Sequence, residues 1–493
     1  MPVGGASSWA SVFTLCNSAI GAGVLSLPFA FQSAGVLGGL LLCLIIGGME
    51  GFTLYVLSKA AQRYEASSYN KLVRKCLGKK LGLVLASIQV VYLAGSCVAY
   101  QVIIGDTFSS LGVQALGRAS PWLDRQFIIL LLSSLVILPV CFFRKITALS
   151  SLSSIAVAGF VYTALAVVYS GLQLAAARPP GRHWEGMQLV KWDLQALYAI
   201  PIVVFGFNCH ANVVTIFSEL MPRPDRLLHI LPASPSDYAS LPFYTPRPSS
   251  LKMIGMLGVI ASALGIIMSG YLLVGSAGYI AYPLNANSNI LNSFPADDHV
   301  IQVARVAIGC VVLAHYPLNH HPARGAFEYI HAYFSGTGSS SGGSSSSGDD
   351  SAEGSAPAML CHLFTIIFVA STTAVSLLVN DLGDVLHLIG GTAASFMIFC
   401  LPGLLLMSSS VQKSSSEKLA ADGLRVSSGS RLDASETDLM NARTPLLSAA
   451  AEHGLKATGL LFYSPRRSWA TGLALLLFGS LMLVITTVTV FVR

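Results

Sequence analysis

The sequence predicts an all-α integral membrane protein with about eleven transmembrane helices. Of its 493 residues, 53% are hydrophobic and only 11% are charged, whereas soluble domains usually carry about 25% charged residues. A helix needs about 20 mostly apolar residues to cross a bilayer, and about eleven segments approach that length. The segments are 10–31, 36–58, 81–110, 127–143, 146–175, 194–219, 252–282, 299–319, 358–380, 386–408 and 469–491.

Lys and Arg residues are unevenly distributed between the predicted loops. The loops on one side, which include 59–80 and 413–467, hold about 22 of them, and the loops on the other side hold about 6. Because basic loops tend to stay in the cytosol, we expect a cytosolic N-terminus and a C-terminus on the opposite side. The net charge of +6 therefore reflects orientation, and no nucleic acid partner is predicted.

Three polar regions interrupt the apolar pattern. Loops 221–250 and 335–356 are rich in Ser with Pro or Gly, and 409–468 is polar with scattered charge, so none of them buries enough apolar surface to fold alone. We therefore expect a transporter core at 1–408 that carries the first two loops as insertions. A disordered cytosolic loop follows at 409–468, and 469–493 forms the last helix and the C-terminus. Soluble-enzyme motifs such as HExxH or a P-loop do not occur in the sequence, and no enzymatic activity is predicted.

The first span contains residues that weaken a helix at mid-membrane. Gly21, Gly23 and Pro28 lie where a lipid-facing backbone could not lose its hydrogen bonds, so a break there must be buried or line a cavity. Freed amides of residues 22–24 would form a positive helix end suited to a carboxylate, and freed carbonyls of residues 18–21 could coordinate a cation. The alternative is a tight crossing of two helices through small residues.

A second interruption is predicted in the sixth span, at Phe205-Gly206-Phe207-Asn208-Cys209-His210. Corresponding breaks in two halves of a chain are typical of transporters whose site lies between inverted repeats. His210 is expected to line the substrate cavity, and the alternative is a structural histidine bonded to backbone carbonyls. The two breaks together favour transport over packing alone.

These features resemble the amino acid/auxin permease family, and within it the sodium-coupled neutral amino acid transporters, with the nearest likeness to their lysosomal glutamine and asparagine member. The resemblance implies an eleven-helix protein whose first ten helices form a five-plus-five inverted repeat with broken helices one and six. The motifs that carry it are NSAIGAGVLSLPFAFQSAG (17–35), VIIGD (102–106), PW-x-DR-x-F (121–127), FGFNCH (205–210), YP-x₆-R from Tyr316, and DLGDVLHLIGG (381–391).

The resemblance also implies a site. Asn17 matches an asparagine of the sodium site, and its partner, a Ser or Thr in the family, is His315 here. Imidazole is a poor ligand for a cation that prefers oxygen, so coupling to sodium and coupling to protons both remain open, with protonated His315 as a substitute for the ion. The expected substrate-binding residues are Ser18, Ala19, Ile20, Gly21, Ala22, Gly23, Phe205, Asn208 and His210.

The function that follows is secondary active transport of neutral amino acids by alternating access. The alternative is an amino acid sensor that signals through its cytosolic loops with little flux. Glu50, in the second span, is either a proton acceptor or a buried acid bonded to a neighbouring helix, and the second interpretation is favoured. No cofactor is expected, and the only metal expected is a possible sodium ion. The expected partners are the amino acid and the bilayer, and the sequence leaves protein partners unknown. The membrane is lysosomal, vacuolar or plasma.

Overall fold

The computed structural model describes residues 7–117, 120–143, 152–179, 185–191, 193–220, 248–335, 356–410 and 465–492. Every element of regular structure in these ranges is a helix. The helices are α1 (Ser8–Ala19), α2 (Ala22–Ala34), α3 (Val36–Tyr64), α4 (Tyr69–Leu77), α5 (Lys79–Leu116), α6 (Arg125–Cys141), α7 (Leu152–Ala176), α8 (Leu194–Phe207), α9 (His210–Glu219), α10 (Pro248–Ala281), α11 (His299–Phe334), α12 (Ala358–Leu378), α13 (Leu382–Ser410) and α14 (Pro465–Val492).

The prediction of an all-α membrane protein is confirmed. Counting α8 and α9 together, the described residues contain nine helices long and apolar enough to cross a membrane. The α1–α2 pair, bent by 52°, is a tenth span, and α6 is a shorter apolar helix at the position of the predicted fourth span. Large apolar side chains such as Leu41, Leu44 and Ile45 of α3 point outward and are about half exposed, as expected where a helix meets lipid rather than water.

The described chain falls into two units. The larger comprises Met1–Ile398 and Ser480–Arg493, and the smaller is Phe399–Gly479. Within the smaller unit two helical segments touch at glycines, because a Cβ on Gly403 would lie 2.6 Å from the carbonyl oxygen of Gly472. The predicted division at residue 408 stays a prediction, since most of its polar loops lie outside the described residues.

Within the larger unit α5 is central. Every residue from Gly95 to Gly105 is buried, so this helix has neighbours on all sides and passes close to the site described below. Fully surrounded helices of this kind are apolar around their whole circumference, which explains why α5 shows no polar face in the sequence.

The segment that precedes α8 lies against the junction of α2 and α3. Val36 and Leu37 donate backbone N–H groups to the carbonyls of Gln188 and Leu189 at 3.0 and 2.8 Å, and Lys191 donates to Ala34 at 3.0 Å. Gly35 joins the two helices with φ of +83°, and a Cβ there would lie 2.7 Å from the Leu189 carbonyl oxygen. Only glycine suits this position without strain.

Candidate substrate and ion site

The break in the first helix lies where it was predicted. α1 ends at Ala19, Ile20 and Gly21 are extended, and α2 begins at Ala22 with a 3₁₀ turn. The amides at the start of α2 and the carbonyls at the end of α1 therefore lack partners within their own helices. Residues 19–24 are all buried, so their unpaired backbone groups face protein or cavity rather than lipid.

The break in the sixth helix is confirmed as well. α8 ends at Phe207, and α9 begins at His210 after two non-helical residues. The Asn208 side chain accepts a hydrogen bond from the backbone N–H of His210 at 3.2 Å. Asn208 is therefore fixed at the turn by a local capping contact of the kind that asparagine favours.

The two breaks touch each other. A Cβ on Gly23 would lie only 2.7 Å from the Cα atom of Gly206, so α2 and α8 cross with their backbones in contact. The hydroxyl of Tyr271, from α10, lies 3.1 Å from the Ala19 carbonyl oxygen and 2.7 Å from that of Gly206. One buried tyrosine thus bridges the ends of both helices, and its role was not anticipated from the sequence.

A small polar cavity lies between the breaks. Six predicted substrate residues line it: Ser18, Ala19, Gly21, Ala22, Phe205 and Asn208. The other lining residues are Tyr92, Leu93, Tyr100, Cys209, Ala211, Asn212, Asn319 and Pro322. Its volume of about 30 Å³ accommodates little more than water, so the cavity is nearly closed and must expand to admit an amino acid.

Three of the predicted substrate residues do not line this cavity. Ile20 is buried among neighbours, Gly23 packs on Gly206, and His210 points toward α3. The His210 Nε2 atom lies 2.9 Å from Thr53 Oγ1, and its Nδ1 atom lies 3.0 Å from Glu50 Oε1. Direct contact between these three residues and substrate therefore stays a prediction, and Glu50 is bonded to the neighbouring broken helix.

The predicted coupling pair is brought together. His315 Nε2 lies 2.6 Å from Asn17 Oδ1, across the contact between α11 and α1. Because a carbonyl oxygen only accepts, the imidazole donates to it. Both residues border a separate, largely apolar cavity of about 360 Å³, which α7 and α11 also line. Among the residues that the structure describes, no group of three His, Cys, Asp or Glu side chains is arranged to hold a metal ion.

Sequence reasoning missed several polar residues of the substrate cavity. Asn212 donates to Ser18 Oγ at 2.9 Å, and Asn319 donates to the Tyr100 hydroxyl at 3.4 Å. A weak signal existed for Asn319, because it lies four residues after His315 and so on the same helical face. Tyr92 and Tyr100 gave no local signal, since aromatic residues in an apolar span are ordinarily packing residues.

A helical membrane protein in which two broken helices meet at a buried polar cavity has the architecture of a secondary transporter. The chain matches the family model described as transmembrane amino acid transporter protein over residues 4–233 and 245–422. It belongs to this family of amino acid transporters. Family membership confirms the prediction of an amino acid transporter rather than an enzyme.

Individual relatives are similar over most of the chain. Sodium-coupled neutral amino acid transporter 7 of Danio rerio is 28% identical over 412 residues, which cover 82% of this chain and 79% of the relative. The Homo sapiens protein of the same name is 28% identical over 86% and 84%. Vacuolar amino acid transporter 2 of Saccharomyces cerevisiae is 27% identical over 82% and 77%. A solved nucleobase-cation-symport-1 family transporter in a closed conformation has 14% identity and a TM-score of 0.47, over 99% of this chain and 96% of that one.

Proposed function

We propose that this protein is a secondary active transporter of neutral amino acids that works by alternating access around the cavity between its two broken helices. The observation that carries the proposal is the convergence of two buried helix breaks on one polar cavity. The names of the relatives from Danio rerio and Homo sapiens support neutral amino acids as the substrate class.

The chemistry of the cavity suits a zwitterion with an uncharged side chain. The amide end of α2 at Ala22 favours the substrate carboxylate, because the N-terminus of a helix carries partial positive charge. The carbonyl end of α1 at Ala19 favours the ammonium group. None of the described residues that line the cavity is acidic or basic, so a charged substrate side chain would have no counter-ion there.

The driving ion is proposed to act at Asn17 and His315. In this arrangement the imidazole N–H donates to the Asn17 amide oxygen that a sodium ion would use as a ligand. This contact supports a reduced need for sodium. The alternative is sodium bound through other oxygens, with His315 neutral. Coupling to sodium and coupling to protons therefore make opposite predictions for the substitution His315→Thr.

We predict that His315→Thr gains dependence on sodium, because a hydroxyl restores an oxygen ligand next to Asn17. Uptake would be measured in sodium-free and sodium-containing buffer over about pH 5–8, the range in which histidine titrates. His331→Thr is the matched control, since it makes the same change at the far end of α11. Native uptake that requires sodium and is flat with pH would contradict coupling to protons.

The membrane is proposed to be that of a vacuole or lysosome, with the N-terminus in the cytosol. The name of the Saccharomyces cerevisiae relative supports the compartment, and the asymmetry of basic loops supports the orientation. Protease protection of N-terminally and C-terminally tagged protein in isolated organelles tests both statements. Digestion of the C-terminal tag in intact organelles would contradict the orientation.

The deciding experiment is uptake by proteoliposomes. A panel of tritiated alanine, serine, glutamine, asparagine, leucine, lysine and glutamate would be offered with sodium and proton gradients imposed separately. We expect concentrative uptake of neutral members and little uptake of lysine or glutamate. If an amino acid binds but is neither accumulated nor exchanged between the two sides of the membrane, the sensor alternative is favoured.

A further inference from the structure

A second buried polar cluster lies behind the cavity, at the start of α9. Glu50 and His210 are both fully buried, and their closest atoms, Oε1 and Nδ1, are 3.0 Å apart. Glu50 Oε1 also accepts from the Cys209 backbone N–H at 3.2 Å and from the Cys209 thiol at 3.3 Å. Ionisable side chains so deep in a membrane protein are costly and usually functional.

The hydrogen bonds around Thr53 favour one tautomer of the His210 imidazole. The Thr53 hydroxyl lies 3.0 Å from the backbone carbonyl oxygens of Met49 and Glu50, which can accept its only proton. The same oxygen lies 2.9 Å from His210 Nε2, a contact whose donor depends on the tautomer. All of these contacts are satisfied when Nε2 bears a proton and the hydroxyl accepts from it.

The contact between His210 Nδ1 and Glu50 leaves a place for a further proton. Nδ1 lies 3.0 Å from Glu50 Oε1, yet Nδ1 and Glu50 Oε2 are both buried without a hydrogen-bond partner among the described residues in this conformation. With Nε2 protonated, a proton bound here resides either on Nδ1, giving an imidazolium and a carboxylate, or on the carboxyl group, giving two neutral partners. The pair is neutral overall in both cases, and loss of that proton leaves one negative charge.

We propose that Glu50 and His210 form a proton-binding site, and that the proton they share is exchanged during each transport cycle. The inference rests on the proposed function and refines its proton-coupled form, in which the ion was placed at Asn17 and His315. In the refined form His315 keeps an N–H in the place of a sodium ion, and the proton that is exchanged is held at the break in the sixth helix.

The position of the pair links its protonation to the movement of α9. In the deprotonated state the carboxylate is stabilised by the Cys209 N–H and by the N-terminal end of α9. If α9 moves away, those donors leave. The side chain of Glu50 is then favoured in its protonated, uncharged form. Proton affinity and the geometry of the break are therefore thermodynamically linked, as coupling requires.

The groups that face the pair do not compete for this role. Tyr92 from α5 and Cys209 interact with Glu50, and Cys209 in turn interacts with Cys16 from α1 and Tyr271 from α10. All four are uncharged near neutral pH in their ordinary forms. Because the protonated pair is neutral overall, the protein can change conformation with a zwitterionic substrate bound without moving net charge at this site.

The test compares exchange with proton-driven accumulation of tritiated glutamine in proteoliposomes. Glu50→Gln keeps an oxygen that accepts from Cys209 but cannot bind the exchanged proton. Exchange at equal pH should stay within about two-fold of wild type, since it needs no net proton movement. Accumulation driven by an acidic exterior should disappear. Accumulation by Glu50→Gln equal to wild type would overturn the proposal.

Glu328→Gln is the matched control, because Glu328 also accepts from a cysteine thiol at 3.3 Å but lies on α11, away from both breaks. It should retain exchange and accumulation. If wild type shows no exchange of any amino acid in the panel, the proposed function fails, which is a different outcome from failure of the proton site.

A second measurement does not depend on how well a variant reconstitutes. Glutamine binding to purified wild type would be titrated calorimetrically in two buffers of different ionisation enthalpy over about pH 5–8. We expect a proton to be taken up on binding by wild type and Glu328→Gln, and none by Glu50→Gln. If wild type binds glutamine and takes up no proton at every pH value in this range, the inference is contradicted.

Discussion

The two helix breaks differ in what the protein places at the positive end of the second half-helix. At the first break, the N-terminus of α2 faces the cavity near Ala22, and no acidic residue is among the described residues that line it. At the sixth, the N-terminus of α9 is occupied by the carboxyl group of Glu50. The protein therefore fills one helix end with its own acid and leaves the other open.

This difference separates two tasks that both need a helix terminus. An open terminus in a closed cavity suits the carboxylate of the proposed substrate, whereas the other terminus already holds an acidic group of the protein. One helix terminus is therefore left for a substrate carboxylate. The arrangement also explains why His210, although next to the break, is turned away from the cavity.

The largest expected effect concerns the open break. A Cβ on Gly21 would lie 2.9 Å from the Tyr100 hydroxyl, inside the cavity, whereas one on Gly23 would strike the Gly206 backbone. Gly21→Val should lower uptake by at least about 100-fold, since small displacements at a binding site have effects of that size. Its thermal stability and membrane insertion should be unchanged. Gly23→Val should abolish uptake and also lower the unfolding temperature.

Gly48→Val is the control for both variants, because a Cβ on Gly48 would meet no atom within 4 Å. It should transport normally. Uptake and the unfolding temperature would be measured on the same detergent-purified preparations. Normal uptake by correctly inserted Gly21→Val would show that the glycine is not needed for bare backbone at the cavity.

An intermediate effect is expected at the residue that joins the breaks. Tyr271→Phe removes a buried hydroxyl that contacts carbonyls of both broken helices. The loss of a hydrogen bond of this kind costs about 0.5–1.5 kcal/mol, which corresponds to a change of about two- to twelve-fold in KM. Vmax should change less, because the hydroxyl positions the site without contacting the cavity.

Tyr279→Phe provides a matched comparison for that prediction. Tyr279 is also fully buried on α10, but its hydroxyl accepts from the Gln188 backbone N–H at 3.0 Å, away from the cavity. Concentration-dependent uptake would be recorded for both variants. Equal changes in KM would indicate that the Tyr271 hydroxyl contributes general stability rather than alignment of the breaks.

The smallest effect is expected far from either break. Deletion of residues 335–356, a tract rich in Gly and Ser, should change uptake kinetics by less than about two-fold, because a sequence of this composition contributes little packing. Kinetics would be compared at equal surface abundance. Loss of transport by a normally abundant deletion variant would favour the sensor alternative and a signalling role for this loop.

The sequence predicted the helices and their breaks because those depend on local chemistry. Apolar length identified the spans, and Gly21, Gly23 and Gly206 marked the interruptions within one residue or two. It could not predict which face each broken helix presents, and this is why Gly23 and His210 were expected at the cavity. Contacts over long sequence distances, such as those of Tyr271, have no local signature. The pairing of Asn17 with His315 came from family resemblance.

The hydrogen bonds between the segment before α8 and the end of α2 have a mechanical consequence. α2 and α8 are joined at one end by Val36, Leu37 and Lys191, and at the other by the contact of Gly23 with Gly206. Two helices fastened at both ends cannot slide or separate independently. We therefore expect any movement that opens the cavity to carry the two helices together as one lever.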